Sequence, residues 1–226
     1  CLALITSAGM WLDYRLSRQD IVQGLQLQAR DTVDGVLTDM DNWLDAVEGS
    51  TLFLGRILQQ QEYPPDQLRQ LLQDVVENNE DIFGATIALD PKRYGDARGF
   101  APYYFRGDDG IAYADLAAGD GRYWDKSWFA SPVASEQPVW VEPYFDRGGG
   151  EVLLTTFAVP VYTTAETGER ELFGVVTADI TLEELQNYLT RLNLSASGSA
   201  ILLSREGVIL SARNRSLTMR HYTDTA

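Results

Sequence analysis

The sequence predicts an α+β protein in which one very long N-terminal helix runs ahead of an antiparallel sheet. Three observations predict it. No proline occurs from Asp13 to Gln61 while apolar residues recur every three or four positions; after Asn79 the chain turns to short runs of β-branched and aromatic residues; and a capping sequence at Thr181 leads to a further pair of short strands.

In the first stretch, Val33, Leu37, Met40, Leu44 and Val47 advance by four and three residues, which lays them on one stripe of a helix spanning 13–61. Tyr63-Pro64-Pro65 must end that helix, because prolines lack the amide donor and clash with the preceding turn. A short second helix follows, with Leu68, Leu71, Leu72, Val75 and Val76 on its apolar side. Upstream, Cys1 to Leu12 carries no charge but falls short of the roughly twenty residues that span a bilayer. It reads as the end of a transmembrane helix, with Trp11 at the interface and Asp13 starting the aqueous side. The competing reading is a buried helix start.

Strands are expected over 82–89, 100–106, 110–114, 152–162 and 172–180. Gly148-Gly149-Gly150 reads as a hairpin turn, since no helix follows to offer its N-terminus to a phosphate. Thr181-Leu182-Glu183-Glu184 is a capping box that starts a helix to about Leu192. Residues 200–204 and 208–212 then read as a separate hairpin. The expected organisation is therefore 1–12, 13–61, a sheet domain over 62–192, and the start of a second unit over 193–226.

Composition excludes several functions. With 33 acidic and 18 basic residues the net charge is −15, a field that repels phosphate backbones, so no nucleic-acid partner is expected. A single cysteine, Cys1, and a single histidine, His221, allow neither an internal disulfide nor a zinc site. No nucleophile triad, P-loop or dinucleotide fingerprint is present. Neither catalytic residues nor a metal or cofactor is expected.

The dense region is Tyr123-Trp124-Asp125-Lys126-Ser127-Trp128-Phe129, then Trp140-Val141-Glu142-Pro143-Tyr144-Phe145-Asp146, Val159-Pro160-Val161 and Gly174-Val175-Val176-Thr177-Ala178-Asp179-Ile180. As an ordered series it resembles the double Cache family, the extracytoplasmic sensor domains of bacterial chemoreceptors, histidine kinases, diguanylate cyclases and serine phosphatases. The resemblance implies a long helix packed on a PAS-like antiparallel sheet domain distal to the membrane, followed by the start of a second, membrane-proximal Cache unit. It further implies anchoring in the cell inner membrane through flanking transmembrane helices, a periplasmic location, and a small-molecule pocket in the distal unit.

In amino-acid-binding members of that family a basic residue and a tryptophan hold the ligand carboxylate, while a tyrosine and two aspartates hold the ammonium. Carried over residue by residue, Lys126 and Trp128 take the first role and Tyr144, Asp146 and Asp179 the second. Lys126 stands where arginine is usual, and lysine lacks the planar fork that fits a carboxylate. Phe129 replaces a common tyrosine and loses its hydroxyl. Phe129, Trp140 and Tyr104 complete the candidate ligand-binding set.

Other readings of the same residues stay open. Asp146 alternatively caps the glycine turn, Asp179 the following helix, and Lys126 pairs with Asp125 or Glu142; Trp128 and Trp140 are equally suited to core packing. The leading expectation is a sensor of an amine or amino-acid-like molecule, homodimeric through the N-terminal helix. The alternative is a structural or partner-binding ectodomain without a small-molecule ligand.

Overall fold

The computed structural model describes residues 2–94, 99–118, 122–165, 168–191 and 200–225, and within these the side chains of residues 2–22, 25, 28, 29, 32, 94 and 191 are left undescribed. Two compact units are present, residues 1–42 and Trp43–Ala226. A single helix, α1 (Leu2–Gln60), supplies the described residues of the first and the beginning of the second. The reading of residues 1–12 concerns side chains outside the description, and no helix among the described residues is long and apolar enough to cross a membrane. In the first unit Leu27, Val33 and Leu37 are exposed.

The second unit is α+β. After α1 come α2 (Pro65–Asn78), β1 (Gly84–Leu89), the single turn α3 (Pro91–Tyr94), β2 (Pro102–Gly107) and β3 (Gly110–Asp115). Then follow a 3₁₀ turn at Tyr123–Asp125, α4 (Ser127–Ser135), β4 (Val139–Phe145), β5 (Leu153–Thr164), β6 (Arg170–Thr181) and α5 (Leu182–Arg191). Six strands form one sheet in the order β3-β2-β1-β6-β5-β4, antiparallel throughout. A separate antiparallel pair, β7 (Ile201–Leu203) and β8 (Ile209–Ala212), follows, and two 3₁₀ turns, Arg215–Leu217 and Tyr222–Thr225, come after it. The boundary expected between 192 and 193 lies outside the described residues.

Alternation along the central strands divides the sheet into two buried faces. Ala85, Ile87 and Leu89 of β1, with Val176, Ala178 and Ile180 of β6, pack against Val47, Leu54 and Leu58 of α1 and Leu68, Leu72 and Val76 of α2. The α2 residues recur every four positions, so one stripe of that helix is buried, at about 1.5–3 kcal/mol for each leucine or valine removed from water. The opposite face, with Ala88, Ala158 and Val175, is covered by Tyr123, Trp128 and Phe129 from the 3₁₀ turn and α4. The Tyr123 hydroxyl fastens this cover by donating to the Leu89 carbonyl and accepting from the Phe100 amide.

Two local sequence signals form as expected. The Glu184 amide donates to Thr181 Oγ1 at 3.0 Å and the Thr181 amide to Glu184 Oε2 at 2.9 Å, which closes the capping box of α5. The three glycines form the turn between β4 and β5, where Gly150 N donates to Asp146 Oδ2 at 2.7 Å.

Candidate functional site

The face covered by α4 contains an open cleft of about 500 Å³, a volume suited to a small molecule. Lys126, Ser127 and Trp128 form one wall, at the first turn of α4, and Tyr144, Phe145, Asp146 and Arg147 form the other, at the end of β4. Helix α4 starts without a side-chain cap, so its first amides lack that partner and present positive partial charge on the cleft side. Trp128 is held flat against Tyr123, ring centroids 6.2 Å apart.

Beneath the cleft lies an acidic layer. Register pairs Gly84 with Asp179 and Asp179 with Thr156, so these three share one row of the sheet. Thr156 Oγ1 donates to Asp179 Oδ1 at 2.6 Å, and with that proton committed the Tyr144 hydroxyl, 2.9 Å away, donates to Thr156. A short relay thus connects a wall of the cleft to a buried carboxyl. Tyr103 lies beside both Asp146 and Asp179, and among the described residues its buried hydroxyl has no partner in hydrogen-bonding geometry. Gly84 and Gly149 leave the space for it: a Cβ on Gly84 would strike the Tyr103 hydroxyl, and one on Gly149 would strike Asp146 Oδ2 and the Tyr103 ring.

Electrostatics follow burial. Asp179 is pushed up to about 7, by loss of solvent first and by nearby Asp146 in addition, against the lowering effect of the Thr156 hydroxyl. Asp146 is raised by the same desolvation, opposed by its bond from Gly150. Tyr103 and Tyr144 are held well above the usual phenol range, again chiefly by burial. Among the described residues no cation is paired with these two carboxyls and two phenols, an arrangement that a positive group would stabilise.

Of the eight residues expected at a ligand site, Lys126, Trp128, Tyr144 and Asp146 line the cleft, and Asp179 sits below it on the same sheet face. The other three are placed elsewhere. Phe129 is buried behind the wall, edge-on to Tyr123 and Trp128. Tyr104 faces the α2 side, packed on Tyr113. Trp140 also lies on the helix side, in ring contact with Phe157 and donating its Nε1–H to Glu48 of α1.

The reason for the Trp140 placement is a β-bulge. Register between β4 and β5 shifts between Val141 and Tyr144, so Trp140 and Tyr144, which simple alternation would put together, fall on opposite faces. Asp146 does cap the glycine turn, through Oδ2, and it still lines the cleft. Sequence reasoning missed Tyr103, Thr156 and Arg147. A pair of threonines inside an otherwise apolar strand was the available signal for Thr156; nothing marked the other two.

Residues 68–187, more than half of the chain, match the methyl-accepting chemotaxis protein-like, first PDC sensor domain. The chain belongs to that family. This PDC sensor domain agrees with the Cache resemblance of the sequence and is a ligand-binding module of signal transduction, not a catalytic domain. It is 24% identical over 160 residues to methyl-accepting chemotaxis protein PscA of Pseudomonas syringae pv. tomato, an alignment covering 70% of this chain and 24% of that protein. In structure it is similar to methyl-accepting chemotaxis protein X, with TM-score 0.71, 23% identity, and coverage of 86% of this chain and 76% of the other. It is also similar to the ligand binding domain of the Pseudomonas aeruginosa PAO1 amino acid chemoreceptor PctB in complex with L-Gln. There the TM-score is 0.61 and the identity 19%, with 86% and 71% of the two chains covered.

Proposed function

We propose that the chain is the extracytoplasmic sensing part of a transmembrane chemoreceptor or sensor kinase, and that its cleft takes an organic ligand bearing an ammonium group, an amine or an amino acid. One observation carries the reading: Asp146, which lines the cleft, and Asp179 behind it both lie beside the buried Tyr103 hydroxyl. A buried acidic layer of this kind is stabilised by a cation, and the aromatic walls favour an organic one. The uncapped start of α4 with Lys126 suits a carboxylate on the same ligand.

Several features belong to the same proposal. The chemotaxis relative is several times longer than the aligned part of this chain, which is consistent with a periplasmic domain anchored in the inner membrane, residues 1–12 ending a transmembrane helix. Exposed Leu27, Val33 and Leu37 on α1 support a homodimer formed along that helix, and sedimentation of the purified chain would read it.

The direct experiment is a thermal-shift screen of simple amines and amino acids against the purified chain. A binding ligand at a hundredfold excess over its Kd contributes about 2.7 kcal/mol and raises Tm by several degrees. Asp146→Asn is expected to abolish the shift while leaving the unliganded fold as stable or more so. If no compound of either class stabilises the chain, the ligand reading fails.

A further inference from the structure

The cleft carries a charge pattern that the sensing role alone does not require. Two cations line it, Lys126 and Arg147, from opposite walls. Both are exposed, and among the described residues neither makes an ion pair. Their arginine neighbours are engaged: Arg106 is spent on the carbonyls of Ile82 and Asn79 behind the sheet, and Arg122 pairs with Asp125. The two therefore face one cleft whose lining also carries the carboxylates of Asp115 and Asp146, so the site holds groups of both signs.

Arg147 has a fixed address. It directly follows Asp146, whose carboxylate is tied to Gly150 and points inward, and it lies in the turn where Gly148 N is held by Glu151 Oε1 at 2.7 Å. The carboxylate and the guanidinium therefore belong to consecutive residues that both line the cleft. Lys126 offers only a point charge, whereas Arg147 offers the planar pair of donors that grips a carboxylate.

We propose that Arg147 sets the specificity of the cleft by pairing with a second carboxylate of an ammonium-bearing ligand, so that acidic amino acids are taken in preference to their neutral amides. The inference rests on the ligand reading above and adds the charge of the distal group. The ammonium faces Asp146 and Asp179, one carboxylate meets Lys126 and the open end of α4, and the other meets Arg147.

The test compares L-glutamate with L-glutamine, and L-aspartate with L-asparagine, by calorimetric titration of the purified chain. Each pair has the same shape and differs by one charge. The acidic member is expected to bind at least tenfold tighter. Arg147→Gln should bring its affinity down to about that of the amide, cost the amide far less than the acid, and leave Tm unchanged because the side chain is exposed. Equal affinities within each pair in the wild type, or an equal loss for both members in Arg147→Gln, would overturn the role of Arg147 while leaving the amine reading intact. Absence of binding by all four amino acids and by a simple diamine such as putrescine would overturn both.

Discussion

Trp140 Nε1 donates to Glu48 Oε1 at 2.7 Å, which ties the edge strand β4 to the long helix α1. The same strand turns Tyr144 and Asp146 toward the cleft on its other face. One strand therefore touches both the candidate ligand site and helix α1.

Trp140→Phe keeps the ring contact with Phe157 and removes the donor to a charged acceptor. A loss of about 1–3 kcal/mol is expected, read as a lower urea midpoint with unchanged slope. Affinity for any ligand found in the screen should stay within about twofold, because the side chain lies on the helix side. A large affinity loss at unchanged fold would put Trp140 back in the site.

The protonation of Asp179 predicts a pH dependence with a definite sign. Its folded value, about 7, lies above the unfolded one near 4, so between these pH values the folded state holds a proton that the unfolded state has released. The stabilising contribution is complete below about pH 4, declines as pH rises, and is gone above about pH 7. Asp146, facing the same space and shifted in the same direction, adds to the decline. Asp179→Asn should accordingly gain stability relative to wild type from pH 4.5 to pH 8, measured by urea unfolding without ligand. An ammonium ligand should bind more tightly as pH rises to about 7. A pH-independent difference between the two proteins would mean that Asp179 is ionised throughout.

Gly149→Ala tests the close packing of the acidic layer. The new methyl would meet Asp146 Oδ2 and lie 2.8 Å from Tyr103 Cε1, and Tyr103 is stacked on Phe105 at 5.2 Å, so Asp146 has to move. Overpacking of this kind costs about 1–3 kcal/mol, and ligand affinity is expected to fall at least tenfold. Gly148→Ala is the contrast. Its φ of +84° makes alanine strained, but its Cβ would meet open space, so stability falls by about 1 kcal/mol with affinity retained. Equal affinities for the two variants would show that the position of Asp146 does not matter.

The helices and central strands were legible because their periods are long and undisturbed: the three-and-four spacing through Val47, the alternation of β1 and β6, and the Thr181–Glu184 cap all appear as read. Helix α4 was not legible, being nine residues long with Pro132 inside it. Strand β4 was not either, since Pro143 cannot donate to a ladder and survives only on an edge strand beside a bulge. That bulge reverses the parity of the strand, which is why Trp140 was grouped with Tyr144. Asp146 and Asp179 could be paired from sequence only through the family resemblance; what brings them together is the β6 register beside Gly84 and the tight turn at Gly149.

The last prediction concerns the junction of the sheet domain with the terminal hairpin. Gln186 of α5 is buried, and its Oε1 accepts from Ser211 Oγ at 2.9 Å and from the Ala212 amide at 3.3 Å. Both donors are on β8 and both residues are buried, so a single side-chain oxygen satisfies two groups that have no access to water. Gln186→Leu keeps the volume of the side chain and removes that acceptor. Leaving the donors unpaired costs about 1–3 kcal/mol each, borne locally by the hairpin, since the six-stranded sheet keeps all its own ladders. Hydrogen exchange at residues 201–212 should therefore accelerate by tenfold or more, while amides of β1, β5 and β6 and the ligand affinity of the cleft stay unchanged. Acceleration spread evenly over both sheets would mean that the hairpin and the sheet domain unfold as one cooperative unit, and that Gln186 stabilises the whole rather than the junction.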